Sequence, residues 1–112
     1  MSAKFELKKS KDGQFMFNLK AANGEVILTS ELYKEKSSAE NGVASVKANA
    51  AADANYERKT ASNGEPFFVL KAANKQIIGK SELYSSQPAM ERGIDSVKKN
   101  GPTAVLQDHA TT

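Results

Sequence analysis

Two glutamates are the residues of this sequence best suited to acid–base chemistry. The tetrapeptide Ser-Glu-Leu-Tyr occurs twice, at residues 30–33 and 81–84. If the fold brings both copies together, Glu31 and Glu82 form a carboxyl pair of the kind that general acid–base catalysis uses. The other interpretation is a polar loop residue beside a serine that bonds the local backbone. We favour this interpretation and expect no enzyme, because the chain carries no phosphate-binding loop, metalloprotease motif or hydrolase motif.

Two lysines and two tyrosines recur at the same spacing. Lys20 and Lys71 end equivalent strands, where they either contact phosphate or carboxylate groups of a ligand or keep an exposed strand soluble. Tyr33 and Tyr84 follow a leucine in both copies. Each either offers its ring to a partner or packs over the sheet edge with its hydroxyl in water. Together with the two glutamates, these four residues form the interaction surface that the sequence predicts.

The composition excludes several kinds of site. The 112 residues include no cysteine, which rules out disulfides, thiol nucleophiles and cysteine-ligated metal centres. His109 is the only histidine, so it has no second imidazole with which to share a metal, and no cofactor is predicted. No apolar run approaches the roughly 18–20 residues of a membrane span, and residues 1–6 do not resemble a secretory leader. We therefore expect a cytoplasmic protein with no membrane segment.

The charge balance permits an acidic partner without requiring one. Lys and Arg number 16 against 13 Asp and Glu, which gives a net charge of +3. Acidic residues interrupt most lysine clusters, and no aromatic pair flanked by basic residues of the RNA-binding type is present. Weak binding to nucleic acid through Lys20, Lys71 and neighbouring lysines is therefore an alternative. Our first hypothesis is a protein-interaction or housekeeping module with an unknown protein partner.

A tandem repeat organises these residues. Residues 4–49 match residues 55–100 when the chain is shifted by 51 positions. One copy is too small to bury an adequate core, so we predict one domain built from repeat 1, residues 4–54, and repeat 2, residues 55–108. Residues 109–112 are predicted to form a flexible tail. Because the two repeats can pair with each other, we expect a monomer.

Each repeat is predicted to contain three strands followed by a helix. Apolar and polar residues alternate over residues 4–8 and 15–20, which is the pattern of half-buried strands. Asp-Gly and Asn-Gly turns separate the strands of repeat 1. In repeat 2 the second turn is Asn74-Lys75, so we expect Asn74 to carry the turn.

The predicted helix starts rest on capping residues. Ser37 and Glu40 fit a capping box at the start of the first helix. Pro88 suits the first turn of the second helix, with Ser86 or Gln87 as its N-cap.

Two further features predict how the helices meet the strands. Gly42 and Gly93 recur inside the helices, where glycine costs up to about 1 kcal/mol relative to alanine, which indicates a close approach to the sheet or to an aromatic ring. Residues 103–106 are compatible with a strand, and residues 52–55 are their equivalents in repeat 1. We therefore expect the chain to return to a sheet after each helix.

The repeated motifs resemble the YegP-like family of small bacterial proteins of unknown function. In this sequence they are Leu-Lys-Ala-Ala-Asn-Gly-Glu at 19–25, Ser-Glu-Leu-Tyr at 30–33 and Gly-Val-Ala-Ser-Val-Lys at 42–47. The resemblance covers nearly the whole chain, which looks like the duplicated form. It implies an α+β fold in which two tandem β-β-β-α(-β) repeats form one pseudo-twofold antiparallel sheet. Two helices pack on this sheet, and the repeats exchange their C-terminal strands. It implies no established activity.

Overall fold

Two matching series of strands and a helix follow one another along the chain. The computed structural model describes residues 3–109. Each helix spans 14 residues and follows three strands, which confirms the predicted units. A 3₁₀ turn, Asp53–Asn55, joins the two series. The elements are β1 (Lys4–Lys9), β2 (Phe15–Lys20), β3 (Val26–Thr29), α1 (Lys36–Asn49), β4 (Tyr56–Thr60), β5 (Pro66–Lys71), β6 (Ile77–Lys80), α2 (Gln87–Asn100) and β7 (Val105–Asp108).

The second hairpin turn of each repeat needs a residue with positive φ. Gly24 adopts φ 86° in repeat 1, and the equivalent Lys75 adopts φ 74° in repeat 2. The sequence predicts that Asn74 carries this turn, but its side-chain oxygen instead accepts a hydrogen bond from the Gln76 N–H at 3.0 Å. A lysine therefore holds the left-handed conformation that costs an L-residue free energy.

One seven-stranded sheet contains all the strands, in the order β4-β5-β6-β3-β2-β1-β7. The repeats meet at β3 and β6, which run antiparallel and share the residue pair Thr29–Lys80. These two residues are equivalent at the offset of 51, so a pseudo-twofold axis passes through their junction. The α+β fold with both repeats in a single sheet is confirmed.

β7 makes this sheet mixed rather than antiparallel throughout. It runs parallel to β1, with Lys4 opposite Val105 and Leu7 opposite Asp108. A hairpin forces its two strands to run antiparallel, whereas β7 reaches the sheet through α2 and is free of that constraint. Since β7 belongs to repeat 2 and β1 to repeat 1, this pair is the predicted exchange of a C-terminal strand.

The exchange occurs on one side only. The sequence predicts that residues 52–55 return to the sheet, but Asp53–Asn55 form the 3₁₀ turn and β4 begins directly at Tyr56. This segment has to connect α1 to β4, so no length remains for it to lie beside a strand. Within residues 3–109, no strand lies beyond β4, and β4 forms an outer edge of the sheet.

Both helices pack on the same face of the sheet. A Cβ placed on Gly42 of α1 would lie 2.7 Å from the Tyr33 hydroxyl oxygen, and one placed on Gly93 of α2 would lie closer still to that of Tyr84. This confirms the close approach predicted from the two glycines. The core between helices and sheet is built on the fully buried side chains of Phe5, Leu7, Phe17, Leu19, Leu28, Val46, Phe68, Leu70, Ile94 and Val97.

The two helices begin differently. The Ser86 side chain caps α2 by accepting a hydrogen bond from the Ala89 N–H at 3.2 Å, as the sequence predicts. α1 begins at Lys36, and its N-cap Glu35 makes no side-chain cap bond, so the predicted capping box at Ser37 is wrong. Lys36, the first residue of α1, forms an ion pair with Asp108 of β7, a contact between distant parts of the sequence.

The pseudo-twofold axis forces one equivalent pair of residues to differ. Leu28 of β3 and Gly79 of β6 are equivalent at the offset of 51 and lie against each other. A Cβ on Gly79 would come within 2.6 Å of the Leu28 side chain. Near the axis there is space for one leucine, so the repeats carry one large and one absent side chain.

None of the helices in the described part of the chain is long and apolar enough to cross a membrane.

Candidate functional site

The serines of the two Ser-Glu-Leu-Tyr segments fix the loops after β3 and β6. The buried Ser30 Oγ accepts a hydrogen bond from the Phe17 N–H at 2.8 Å and donates to the Glu31 carbonyl at 2.7 Å. Ser81 repeats both bonds, from Phe68 at 3.0 Å and to Glu82 at 2.8 Å. The interpretation of these serines as backbone-bonding loop residues is confirmed.

The tyrosine at the other end of each segment is also tied to the sheet. The Tyr33 N–H donates to the Phe15 carbonyl at 2.7 Å, and the Tyr84 N–H donates to the Pro66 carbonyl at 2.9 Å. Both ends of each segment are therefore anchored to the neighbouring strand. The glutamate and leucine between the anchors form the outer part of each loop.

The two loops line one groove, which we call the twofold groove because it lies over the pseudo-twofold axis. Its volume is about 760 Å³. Residues equivalent at the offset of 51 contribute from both repeats, and three residues of repeat 2 complete the wall. The groove is lined by Thr29, Ser30, Glu31, Leu32, Thr60, Ala61, Phe67, Lys80, Ser81, Glu82 and Leu83.

Two exposed leucines are the feature of this groove that the sequence reasoning missed. Leu32 is 52% exposed and Leu83 is 48% exposed. Both lie in loops, where no helix or strand periodicity shows whether a side chain points inward. Their recurrence at equivalent loop positions was the only sign in the sequence.

Glu31 and Glu82 line the same groove but diverge from its centre. Each follows the central Thr29–Lys80 pair by two residues, and β3 and β6 run in opposite directions. The glutamates therefore lie on opposite sides of the axis, each in the loop of its own repeat. Each glutamate sits near a tyrosine of its own segment.

The two tyrosines are packed into the molecule. The Tyr33 ring stacks on Phe17 with centroids 6.4 Å apart, and the Tyr84 ring stacks on Phe68 at 6.3 Å. Burial raises the pKa of both phenols above the usual value, and the charges of Glu31 and Glu82 add to this effect. Their hydroxyls lie against the helix glycines, so both rings are partly buried against the core rather than projecting over the groove.

Lys20 and Lys71 lie on the face of the sheet opposite the helices, which we call the polar face. Lys20 pairs with Glu6 at 3.0 Å, and Lys71 forms an ion pair with Glu57. These lysines hold the pKa of both carboxyl groups below the usual range. The two lysines end β2 and β5, which run in opposite directions with two strands between them, so they do not converge. One row of paired residues crosses the polar face through Glu57, Val69, Lys80, Thr29, Asn18, Glu6 and Gln107.

The described residues form no cluster of side chains suited to bind a metal ion. Across residues 3–109, no group of three or more His, Asp or Glu side chains is placed to hold a metal ion.

Comparison with known proteins gives a consistent result. The family model described as "Domain of unknown function (DUF1508)" matches residues 10–57 and again residues 61–108. UPF0339 protein ACIAD0721 of Acinetobacter baylyi is 57% identical over 108 residues, which cover 96% of this chain and 97% of that protein. UPF0339 protein YegP of Escherichia coli K12 is 56% identical over 109 residues, which cover 97% and 99%.

Two solution NMR structures share the fold. That of UPF0339 protein SO3888 from Shewanella oneidensis has a TM-score of 0.92 and 54% identity, covering 98% of this chain and 93% of the other. That of the E. coli protein of unknown function yegP has a TM-score of 0.94 and 54% identity, covering 100% and 97%. The chain therefore belongs to the UPF0339 (YegP) family, with two tandem copies of a domain of unknown function.

Proposed function

We propose that this chain is a non-catalytic protein-interaction module whose twofold groove holds a segment of a partner protein. The observation that carries the proposal is the exposure of Leu32 and Leu83 on one groove. The anchored loops hold these apolar side chains in water, so covering them with a partner lowers the free energy of the complex. The bonds of Ser30 and Ser81 keep these loops in place before binding, so little ordering entropy is lost on association.

The rim and the floor of the groove indicate the chemistry of this partner segment. Glu31 and Glu82 lie beside the leucines, so an apolar segment flanked by lysine or arginine is complementary in charge. Phe67 offers a further apolar surface, and the Lys80 Nζ lies 5.6 Å from its ring centroid. We infer a partner that inserts one or two apolar side chains between the loops. The module itself acts as a monomer in the cytoplasm.

A capture experiment with matched variants tests this proposal. Wild-type chain immobilised in a cell lysate is expected to retain a partner that the double variant Leu32→Ser/Leu83→Ser does not. The partner is then purified and titrated against both chains. We expect affinity to fall more than tenfold for the double variant, because about 1.5–3 kcal/mol is associated with covering each leucine.

The control is Val105→Ser, which removes an apolar side chain of similar exposure, 53%, from the far edge of the sheet. It is expected to bind like the wild type. Equal binding of the partner by the double variant would exclude the twofold groove as its site.

A second candidate function, binding to nucleic acid, is favoured by the charges of the polar face. Glu6 and Glu57 lie there among a larger number of lysines, so positive charge is in excess. Phosphate groups bind such surfaces and release counterions. The lysines of this face are Lys4, Lys8, Lys20, Lys59, Lys71 and Lys80.

Titration with a fluorescent single-stranded oligonucleotide separates this candidate from the first. Binding to the polar face predicts an affinity that falls with salt, with a log–log slope of about 0.7 per phosphate contact. Lys20→Gln/Lys71→Gln should reduce that slope, whereas Leu32→Ser/Leu83→Ser should leave it unchanged. No binding at 50 mM salt would remove this candidate.

A further inference from the structure

The two outer edges of the sheet are equivalent in sequence but not in structure. β1 and β4 are related by the offset of 51. The outer edge of β1 binds β7, with the Val105 N–H donating to the Ala3 carbonyl at 3.4 Å and the His109 N–H donating to the Leu7 carbonyl at 2.8 Å. No strand among residues 3–109 lies beyond β4. The chain thus contains both an occupied and an open version of one edge.

Equivalence identifies the backbone groups at the open edge. Arg58 of β4 is equivalent to Leu7 of β1, whose carbonyl points outward and accepts from the His109 N–H. The Arg58 carbonyl therefore also points outward, away from β5. The Tyr56 N–H already donates to the Asp53 carbonyl in the 3₁₀ turn. The Tyr56 carbonyl and both backbone groups of Arg58 are therefore positions where a further strand can pair. With an added strand, these backbone groups would form hydrogen bonds like those between β7 and β1.

The side chains of this edge also differ from those of the occupied edge. Leu7 is fully buried, whereas Arg58 is exposed and pairs with both oxygens of Glu91, through Nε at 2.6 Å and Nη2 at 3.0 Å. Its Nη2 also donates to Asp53 at 3.1 Å. Lys98 joins the same cluster, 2.7 Å from Asp53. These charges oppose indiscriminate pairing with apolar strands, which is how exposed edges are protected. The bonds use Nε and Nη2, so Nη1 stays able to donate to a carboxylate of the right partner.

We propose that the outer edge of β4 accepts an extended segment of a partner protein as an eighth strand running parallel to β4. The register of β7 on β1 supplies the template: Leu106 lies opposite Phe5, and Asp108 lies opposite Leu7. The equivalent segment places an apolar residue beside Tyr56 and an acidic residue beside Arg58. Addition of a strand to an exposed sheet edge is an established mode of peptide recognition.

The number of backbone hydrogen bonds gained and lost favours a separate partner over a second copy of this chain. A second copy that donated its β7 would open its own β1 edge, so the backbone bonds gained and lost would cancel. A separate segment gains bonds without losing any within a folded protein. The paired positions Tyr56 and Arg58 lie outside the lining of the twofold groove, which meets β4 only at Thr60. Failure of this proposal would therefore leave the groove proposal untouched.

The test uses a peptide with the sequence of residues 103–109, Thr-Ala-Val-Leu-Gln-Asp-His, added to the full-length ¹⁵N-labelled chain. Saturable chemical-shift changes are expected at Tyr56–Thr60, together with at least a fivefold slowing of amide exchange at Arg58. A peptide with lysine in place of aspartate is expected to bind at least fivefold more weakly. A peptide with proline in place of glutamine, which lacks one ladder N–H, should produce no change.

Three results of the peptide titration would overturn the proposal. They are an absence of shifts at Tyr56–Thr60, shifts confined to Lys4–Lys9 and Val105–Asp108, and equal binding of the proline peptide. The second result would mean that the peptide displaces β7 from β1 instead. A chain mass that doubles with concentration, in the absence of peptide, would assign the edge to a second copy and equally contradict the proposal.

Discussion

Lys75 holds a backbone conformation that its equivalent Gly24 adopts without steric cost. Both positions close the same hairpin turn, with φ 74° and 86°. Because asparagine tolerates that region better than lysine does, the Asn-Lys dipeptide predicts the positive φ at Asn74, whereas Lys75 adopts it. The bond of the Asn74 side chain to the Gln76 N–H decides the matter by fixing Asn74 in the other position. The local sequence thus predicts the turn correctly but assigns the positive φ to the wrong residue.

Lys75→Gly is expected to stabilise the chain by about 1 kcal/mol, since relief of the left-handed penalty outweighs the added entropy of glycine in the unfolded state. Urea denaturation measures the change. The matched substitution Gly24→Ala meets no atom within 4 Å, so its expected destabilisation is conformational alone. An unchanged midpoint for both variants would show that these turns carry no strain.

The buried serines make a second contribution at the residue scale. Ser81→Ala removes the acceptor of the Phe68 N–H and is expected to destabilise the chain by about 1–3 kcal/mol, the cost of an unpaired buried donor. Thermal or urea unfolding tests this. Ser62→Ala, at an exposed turn position, is the control and should change stability by less than about 0.5 kcal/mol. Similar effects for both would mean that Ser81 does not anchor its loop.

At the scale of elements, β3 and β6 show how a duplicated sequence adapts to its own axis. The repeat predicted that the two units share a sheet, and period-2 alternation predicted the strands. It could not predict that Leu28 and Gly79 would face each other, because their contact depends on which strands meet between repeats. The ion pair of Lys36 with Asp108 was equally unpredictable, because the two residues lie far apart in the sequence.

Gly79→Leu is expected to destabilise the chain by about 1–3 kcal/mol through overpacking against Leu28. The exchanged double variant Leu28→Gly/Gly79→Leu restores one leucine to the junction and should recover at least half of that loss. Denaturation of the wild type, of Leu28→Gly, of Gly79→Leu and of the double variant gives the coupling energy. Additive effects of the two substitutions would contradict the account of the axis.

Glu6, at the centre of a lysine cluster, makes the stability of the sheet depend on pH. Glu6 lies 3.0 Å from Lys20 and within 3.6 Å of Lys4 and Lys8, and the hydrogen bond with Lys20 holds its pKa below the usual value. Because the folded pKa is the lower one, the stability from Glu6 is present near neutral pH and is lost as pH falls below about 5.

Glu6→Gln is therefore expected to flatten the acid side of the stability profile, with the difference from wild type largest at neutral pH and shrinking towards pH 3. Urea midpoints measured across this range provide the test, with Glu40→Gln, at an exposed position of α1, as control. A constant difference at every pH would show that the Glu6 charge does not stabilise the fold.

At the scale of the whole molecule, duplication produces one near-symmetric sheet with two different edges and a shared centre. The repeat and the family resemblance predicted the single sheet and the exchange of a strand. They could not predict that one exchange would be missing, which follows from the short covalent link between α1 and β4. The recurrence of Glu31 and Glu82 drew attention to the loops, while the leucines beside them emerged only from their exposure in three dimensions.

Site-specific photocrosslinking tests most directly whether the twofold groove binds a partner protein. A benzophenone side chain is introduced at position 32, at position 83, or at the control position 105, in cells that produce the chain. Binding of a partner in the groove predicts one adduct of defined mass from positions 32 and 83 and none from position 105. An absence of adducts from positions 32 and 83, or the same adducts from position 105, would contradict it.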